Sequence, residues 1–141
     1  YGGIEQGINN KYLNESISCY IKENIPIIEF MPNEWNGASI PLPQPTNCNA
    51  YQQVKISFEI ENAQAVQEIR LAFSGNCTYI GENIWHYIIS NLKEGINTFY
   101  IEKEDFILRH GYIDWKNVSS TGIDGVGEDN FVIKNLSIEL E

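Results

Sequence analysis

The chain reads as an all-β protein, an antiparallel β-sandwich of jelly-roll type, and three observations predict it. Apolar and polar residues alternate with period two through several short segments. Turn-forming pairs separate those segments at regular intervals. Helical periodicity is weak and no internal repeat divides the 141 residues, so one domain spanning 1–141 is expected, cut from a larger protein.

Ser16–Lys22 sets Ile17, Cys19 and Ile21 against Ser16, Ser18 and Tyr20, and Ile27–Met31 is a short apolar run. In Val54–Glu61 the apolar face carries Val54, Ile56, Phe58 and Ile60, with Lys55, Ser57, Glu59 and Glu61 on the other. Glu68–Phe73 repeats this, Ile69, Leu71 and Phe73 inward and Arg70 outward. Such alternation marks antiparallel strands with one buried and one wet face. The two segments are expected to form a hairpin with Arg70 opposite Glu59. Later strands are expected at Trp85–Asn91, Thr98–Ile101, Ile113–Val118 and Phe131–Leu140, and single helical turns at Ala63–Val66 and Lys103–Leu108.

Turns are expected at Asn36-Gly37, Ser74-Gly75, Glu94-Gly95 and across Gly122–Asn130. Pro41, Pro43 and Pro45 forbid a central strand, which makes Ser39–Asn49 an extended surface connection. Cys48 and Cys77 flank the predicted hairpin at nearly mirrored distances, leaving a disulfide or two separate thiols open. The four Asn-X-Ser/Thr sequons at Asn14, Asn76, Asn117 and Asn135 arise readily by chance in so Asn-rich a chain.

A net charge of −10, with only nine Lys and Arg and no basic stripe, argues against nucleic acid and anionic lipid. No apolar run approaches the roughly 20 residues of a membrane-spanning helix, so membrane insertion is not expected. The opening YGGIEQGINN carries neither a basic start nor an apolar core of the signal-peptide kind. Neutral ligands and protein surfaces remain as partners.

The order of elements from Tyr51 onward resembles carbohydrate-binding modules with a galactose-binding-like β-sandwich. The carriers are Trp85, the Glu94-Gly95-Ile96-Asn97 turn, Asp105-Phe106, Asp114-Trp115 with Asn117-Val118, and the closing strand Phe131 to Leu140. The resemblance implies a jelly-roll sandwich that binds neutral polysaccharide of the plant cell-wall β-glycan type. In that family the closing strand often carries an Asp that helps hold a structural calcium. Lys134 stands there in this chain.

Sugar recognition needs flat aromatic surfaces for pyranose faces and directional hydrogen bonds for hydroxyls. Three Trp and eight Tyr supply the first. Trp35, in the polar turn Pro32–Gly37, is either an exposed platform or a ring folded over the sandwich edge. Tyr79 is a rim candidate in the loop 76–83. Trp85 and Trp115 read as core residues or as platforms, and Tyr87 follows the face that Trp85 takes. Arg70 and Glu59 read as a hydroxyl-orienting pair or as an ordinary solvated ion pair.

Asp124, Glu128 and Asp129 offer oxygen ligands for Ca²⁺ without matching a full calcium-loop spacing. A structural calcium is the one cofactor left open. His86 and His110 are the only histidines, and neither has metal-ligand or catalytic spacing. No GxSxG, P-loop or dinucleotide fingerprint occurs, and Arg109-His110-Gly111-Tyr112 alone offers side chains of the polysaccharide-lyase kind.

The expectation is a non-catalytic, extracellular or cell-surface bacterial module that targets linked catalytic or anchoring domains to polysaccharide. The alternative is a structural or adhesive sandwich domain of a phage tail or surface assembly.

Overall fold

The computed structural model describes residues 20–21, 27–75 and 83–141. Its strands are β1 (Tyr20–Ile21), β2 (Ile28–Phe30), β3 (Asn36–Thr46), β4 (Gln53–Glu61), β5 (Val66–Gly75), β6 (Asn83–Ile89), β7 (Gly95–Glu102), β8 (Ile107–His110), β9 (Val118–Gly127) and β10 (Phe131–Leu140). They form two five-stranded antiparallel sheets. Sheet A runs β1-β10-β4-β7 with β2 also on β10, and sheet B runs β3-β9-β5-β6-β8. The predicted β-sandwich is what the chain forms.

The alternation read from the sequence builds the core. Val54, Ile56, Phe58 and Ile60 of sheet A are fully buried, as are Ile69, Leu71 and Phe73 of sheet B. Phe30 and Phe131 stack at 4.2 Å between centroids. A second aromatic cluster joins Phe73, Trp85, Phe106 and Trp115 through edge contacts of 5.1–5.6 Å. Aromatic rings of this size contribute the largest apolar areas a core can bury.

Several expectations fail here, each for a physical reason. β4 and β5 do not pair as a hairpin. Asn62 takes a left-handed conformation (φ 71°), the 3-10 turn Ala63–Ala65 follows, and the chain crosses to the other sheet. The mirrored placement of Cys48 and Cys77 therefore loses its basis. Cys48 is buried, while Cys19, Cys77 and Tyr79 lie outside the described residues, as does most of Ser16–Lys22.

The proline-rich segment is a strand, β3, but an edge strand, where a missing amide donor is tolerated. Asn36-Gly37 and Ser74-Gly75 lie inside strands rather than in turns. Most of Gly122–Asn130 belongs to β9, which is central in sheet B. Gly122 is required there, because an added Cβ would run into the Ala38 carbonyl on β3. Residues 112–117 form a turn, and only Val118 of the expected strand Ile113–Val118 is extended. The turn Glu94-Gly95 holds, with Gly95 at φ 90°.

Candidate binding cleft

Sheet B turns one face to the core and the other outward. Cross-strand register defines that outer face in rows. Gly37, Asp124, Arg70 and Ile88 align across β3, β9, β5 and β6. The next row sets Ser39, Gly122, Ala72, His86 and Ile107 side by side. Beyond it, Ser74 and Ser120 share a hydroxyl hydrogen bond of 2.5 Å. Small residues thus make a low floor, and the side chains of the first row rise beside it.

Trp35 stands just before β3, 48% exposed. Its ring covers the Arg70 guanidinium, whose Cζ lies 4.0 Å from the ring centroid. Arg70 donates from Nε to Asp124 Oδ1 at 3.0 Å and from Nη2 to Oδ2 at 2.9 Å. This bidentate fork fixes the guanidinium plane, and the plane in turn supports one face of the indole. Arg109 Nη1 approaches Asp124 Oδ2 at 3.8 Å, and Glu68 Oε2 lies 3.7 Å from Arg70 Nε. The only two arginines of the chain therefore converge on one buried carboxylate. Two guanidiniums and two carboxylates leave this network with no net charge.

Trp35, Asn36, Arg70, Arg109 and Asp124 line a cleft of about 230 Å³. This is below the roughly 300 Å³ at which enclosed small-molecule pockets begin, so the feature is a shallow surface cleft. Ile88, paired with Arg70, and Ile107, paired with His86, add exposed apolar surface to the same sheet face. His86 sits on the floor. Burial, and then the positive charges of Arg70 and Arg109, hold its imidazole below the ordinary value of 6.5. Its Nδ1 is enclosed and has no hydrogen-bond partner among the described residues.

The structure separates the sequence-predicted site residues. Trp35 and Arg70 meet in the cleft. Glu59 does not oppose Arg70, because it lies on the outer face of sheet A. There it accepts from Asn135 Nδ2 at 3.1 Å and lies 3.7 Å from Lys134 Nζ. Trp85 is fully buried and cannot present its ring to a ligand, and Tyr87 shares its inward face against Phe106. Trp115 is half-buried in the same aromatic cluster, with Lys103 Nζ 4.8 Å from its ring centroid.

The calcium candidates are not brought together either. Asp124 is committed to the two arginines, which repel a cation, whereas Glu128 and Asp129 lie in the exposed turn after β9. No cluster of metal-ligating groups occurs among the described residues.

Sequence reasoning missed Asn36 and Arg109 as cleft residues and offered Asp124 only as a calcium candidate. Arg109 and Asp124 are 15 positions apart in sequence and meet only through the pairing of β8, β6, β5 and β9. The one local signal is that both arginines stand at outward positions of strands.

The sequence matches no protein-family model and no curated protein. Solved structures do resemble it. The family 11 carbohydrate-binding module of the cellulosomal cellulase Lic26A-Cel5E of Clostridium thermocellum has a TM-score of 0.59 at 14% identity. The likeness covers 90% of this chain and 91% of that one. A family 11 module from Clostridium thermocellum, solved with a β-1,3-1,4-mixed-linked tetrasaccharide, has a TM-score of 0.56 at 20% identity. It covers 84% of this chain and 78% of that one. The chain thus has the β-sandwich fold of carbohydrate-binding modules, the fold its residue order resembles.

Proposed function

We propose that this chain is a non-catalytic carbohydrate-binding module whose ligand, a neutral β-glucan, lies across the outer face of sheet B. One observation carries the reading: an exposed indole whose inner face is fixed on a guanidinium that a buried carboxylate holds in place. The outer face of Trp35 is then a rigid platform for a pyranose ring, formed at little entropic cost on binding. Polar edges of Asn36, Arg70 and Asp124 flank it for hydroxyl contacts. The self-compensated charges suit a neutral ligand better than a uronate. The tetrasaccharide bound by one of the structural neighbours supports a mixed-linked β-glucan as the first ligand to test.

The module would act by proximity, holding linked catalytic or anchoring domains against insoluble polysaccharide outside the cell and raising their local concentration. A shallow cleft without a metal-ligating or nucleophile–base arrangement among the described residues favours binding over catalysis. A protein-binding role would draw on the exposed Ile88 and Ile107, but these lie on the same sheet face as the cleft and equally suit the apolar face of a sugar. Affinity electrophoresis in gels containing mixed-linked β-glucan tests the reading. Retardation of the wild-type chain, lost in Trp35→Ala, is the expected result. A chain that no neutral polysaccharide retards would refute it.

A further inference from the structure

Two chemically labile dipeptides face each other across β3 and β9. In the antiparallel register Asn36 pairs with Gly125 and Gly37 pairs with Asp124. Asn-Gly and Asp-Gly are the sequences most prone to close a five-membered succinimide ring, because the following glycine places no side chain in the way. Asn36-Gly37 is the only Asn-Gly in the chain, and Asn36 lines the cleft.

The two dipeptides are held very differently. Both oxygens of Asp124 are engaged by Arg70 and the residue is only 4% exposed, so its carboxyl group is immobilised and shielded from water. Asn36 is half-exposed and opens β3, an edge strand among the described residues. Its side chain folds along the backbone, with Oδ1 accepting from the Gly37 N–H at 2.9 Å and Nδ2 donating to the Glu29 carbonyl at 2.9 Å, both contacts to main chain rather than to a buried charge. That places the amide carbon beside the nitrogen that would attack it. Gly37 cannot be exchanged to relieve this. An added Cβ would run into the Ile123 carbonyl and lie 2.7 Å from Asp124 Cα.

We propose that Asn36-Gly37 is a spontaneous modification site, at which the folded module deamidates and weakens its own binding cleft, while Asp124-Gly125 opposite stays intact. The Gly37 nitrogen forms a bond to Asn36 Cγ and gives up its proton, and the Cγ–Nδ2 bond breaks to release ammonia. Water then opens the imide at either carbonyl, leaving aspartate or isoaspartate. Overall one water is consumed and one ammonia released, with no oxidant or reductant. Either product puts a new carboxylate beside the balanced network of Arg70, Arg109, Asp124 and Glu68. Isoaspartate also adds a methylene to the main chain between Trp35 and Gly37, which moves the indole off Arg70. The binding consequence rests on the function proposed above, whereas the chemistry does not.

The test incubates the whole native chain at mildly alkaline pH beside a urea-unfolded sample, and follows both by peptide mass spectrometry. Native protein should gain the acid and isoaspartyl forms at position 36, while the Asp124-Gly125 peptide stays unisomerised. The separated converted form should bind mixed-linked β-glucan about tenfold more weakly than fresh protein. Conversion confined to the unfolded sample would overturn the proposal, as would isomerisation at Asp124-Gly125 at a matching rate. Converted protein that binds as tightly as fresh protein would overturn the claimed effect on the cleft. Fresh protein that binds no glucan would refute the proposed function, with the mass readout at position 36 still deciding the chemistry.

Discussion

The outer faces of the two sheets come from the same alternation of residues, yet they differ in how their charges are held. On sheet A, Lys134 bonds Glu61 at 2.5 Å and lies near Glu59, Lys55 stands 5.7 Å from the Tyr100 ring centroid, and Ser57 meets Thr98. These groups are solvated, and such pairs contribute little. On sheet B the Arg70 and Asp124 side chains are only 12% and 5% exposed, joined bidentately and covered by Trp35. Polar residues on a strand become a site when their neighbours take water away and fix their geometry. Tyr100 is as exposed as a platform should be, at 58%, but the support beneath it is a distant lysine rather than a stacked guanidinium.

The largest way to break this contrast is to remove one partner of the buried pair. Asp124→Ala leaves the buried Arg70 without its bidentate partner and should cost about 3 kcal/mol of stability, read by urea unfolding. The matched exchange on sheet A, Lys134→Met, should shift the unfolding midpoint little. A midpoint as depressed as that of Asp124→Ala would show that the two faces do not differ as described.

A pH series sharpens the contrast next. The folded chain holds His86 below its ordinary value of 6.5, so the unfolded chain takes up the proton first as pH falls. Stability should therefore decline as pH drops below that value, until the folded form is protonated too. His86→Gln should flatten this slope. An unchanged slope would mean that burial and the two arginines do not act on this imidazole.

A smaller effect belongs to the loops at one end of the sandwich. Glu94 accepts the Ala63 and Asn62 amides at 2.8 and 2.9 Å, which lowers its pKa from the ordinary value of 4.5. The stability it contributes is present above that value and lost as pH falls through the lowered folded pKa. Glu94→Gln should shrink the acid-side loss of stability while leaving the neutral-pH fold intact. Circular dichroism across an acid titration reads this directly.

The alternation in Val54–Glu61 and Glu68–Phe73 makes both strands and their buried faces legible from the residues alone. It cannot show that the strands belong to different sheets, because a hairpin and a crossover bury the same residues. The left-handed Asn62 and a single 3-10 turn decide between them. Trp35 is recognisable from its polar surroundings, and Arg70 from its outward position. Asp124 is misread because its partner lies 54 residues away, and only the register of β5 on β9 brings them together. Trp85 and Trp115 read as core residues or as platforms because residue type alone does not fix burial, and the aromatic cluster that encloses them settles them as core.

The central claim is that carbohydrate recognition belongs to the outer face of sheet B and depends on Trp35. Isothermal titration with a mixed-linked β-glucan oligosaccharide, comparing Trp35→Ala with Tyr100→Ala, tests it most directly. Trp35→Ala should weaken binding at least about tenfold, equivalent to about 1.4 kcal/mol, and Tyr100→Ala should leave it unchanged. Full affinity in Trp35→Ala, or its loss in Tyr100→Ala, would place recognition elsewhere than on the outer face of sheet B.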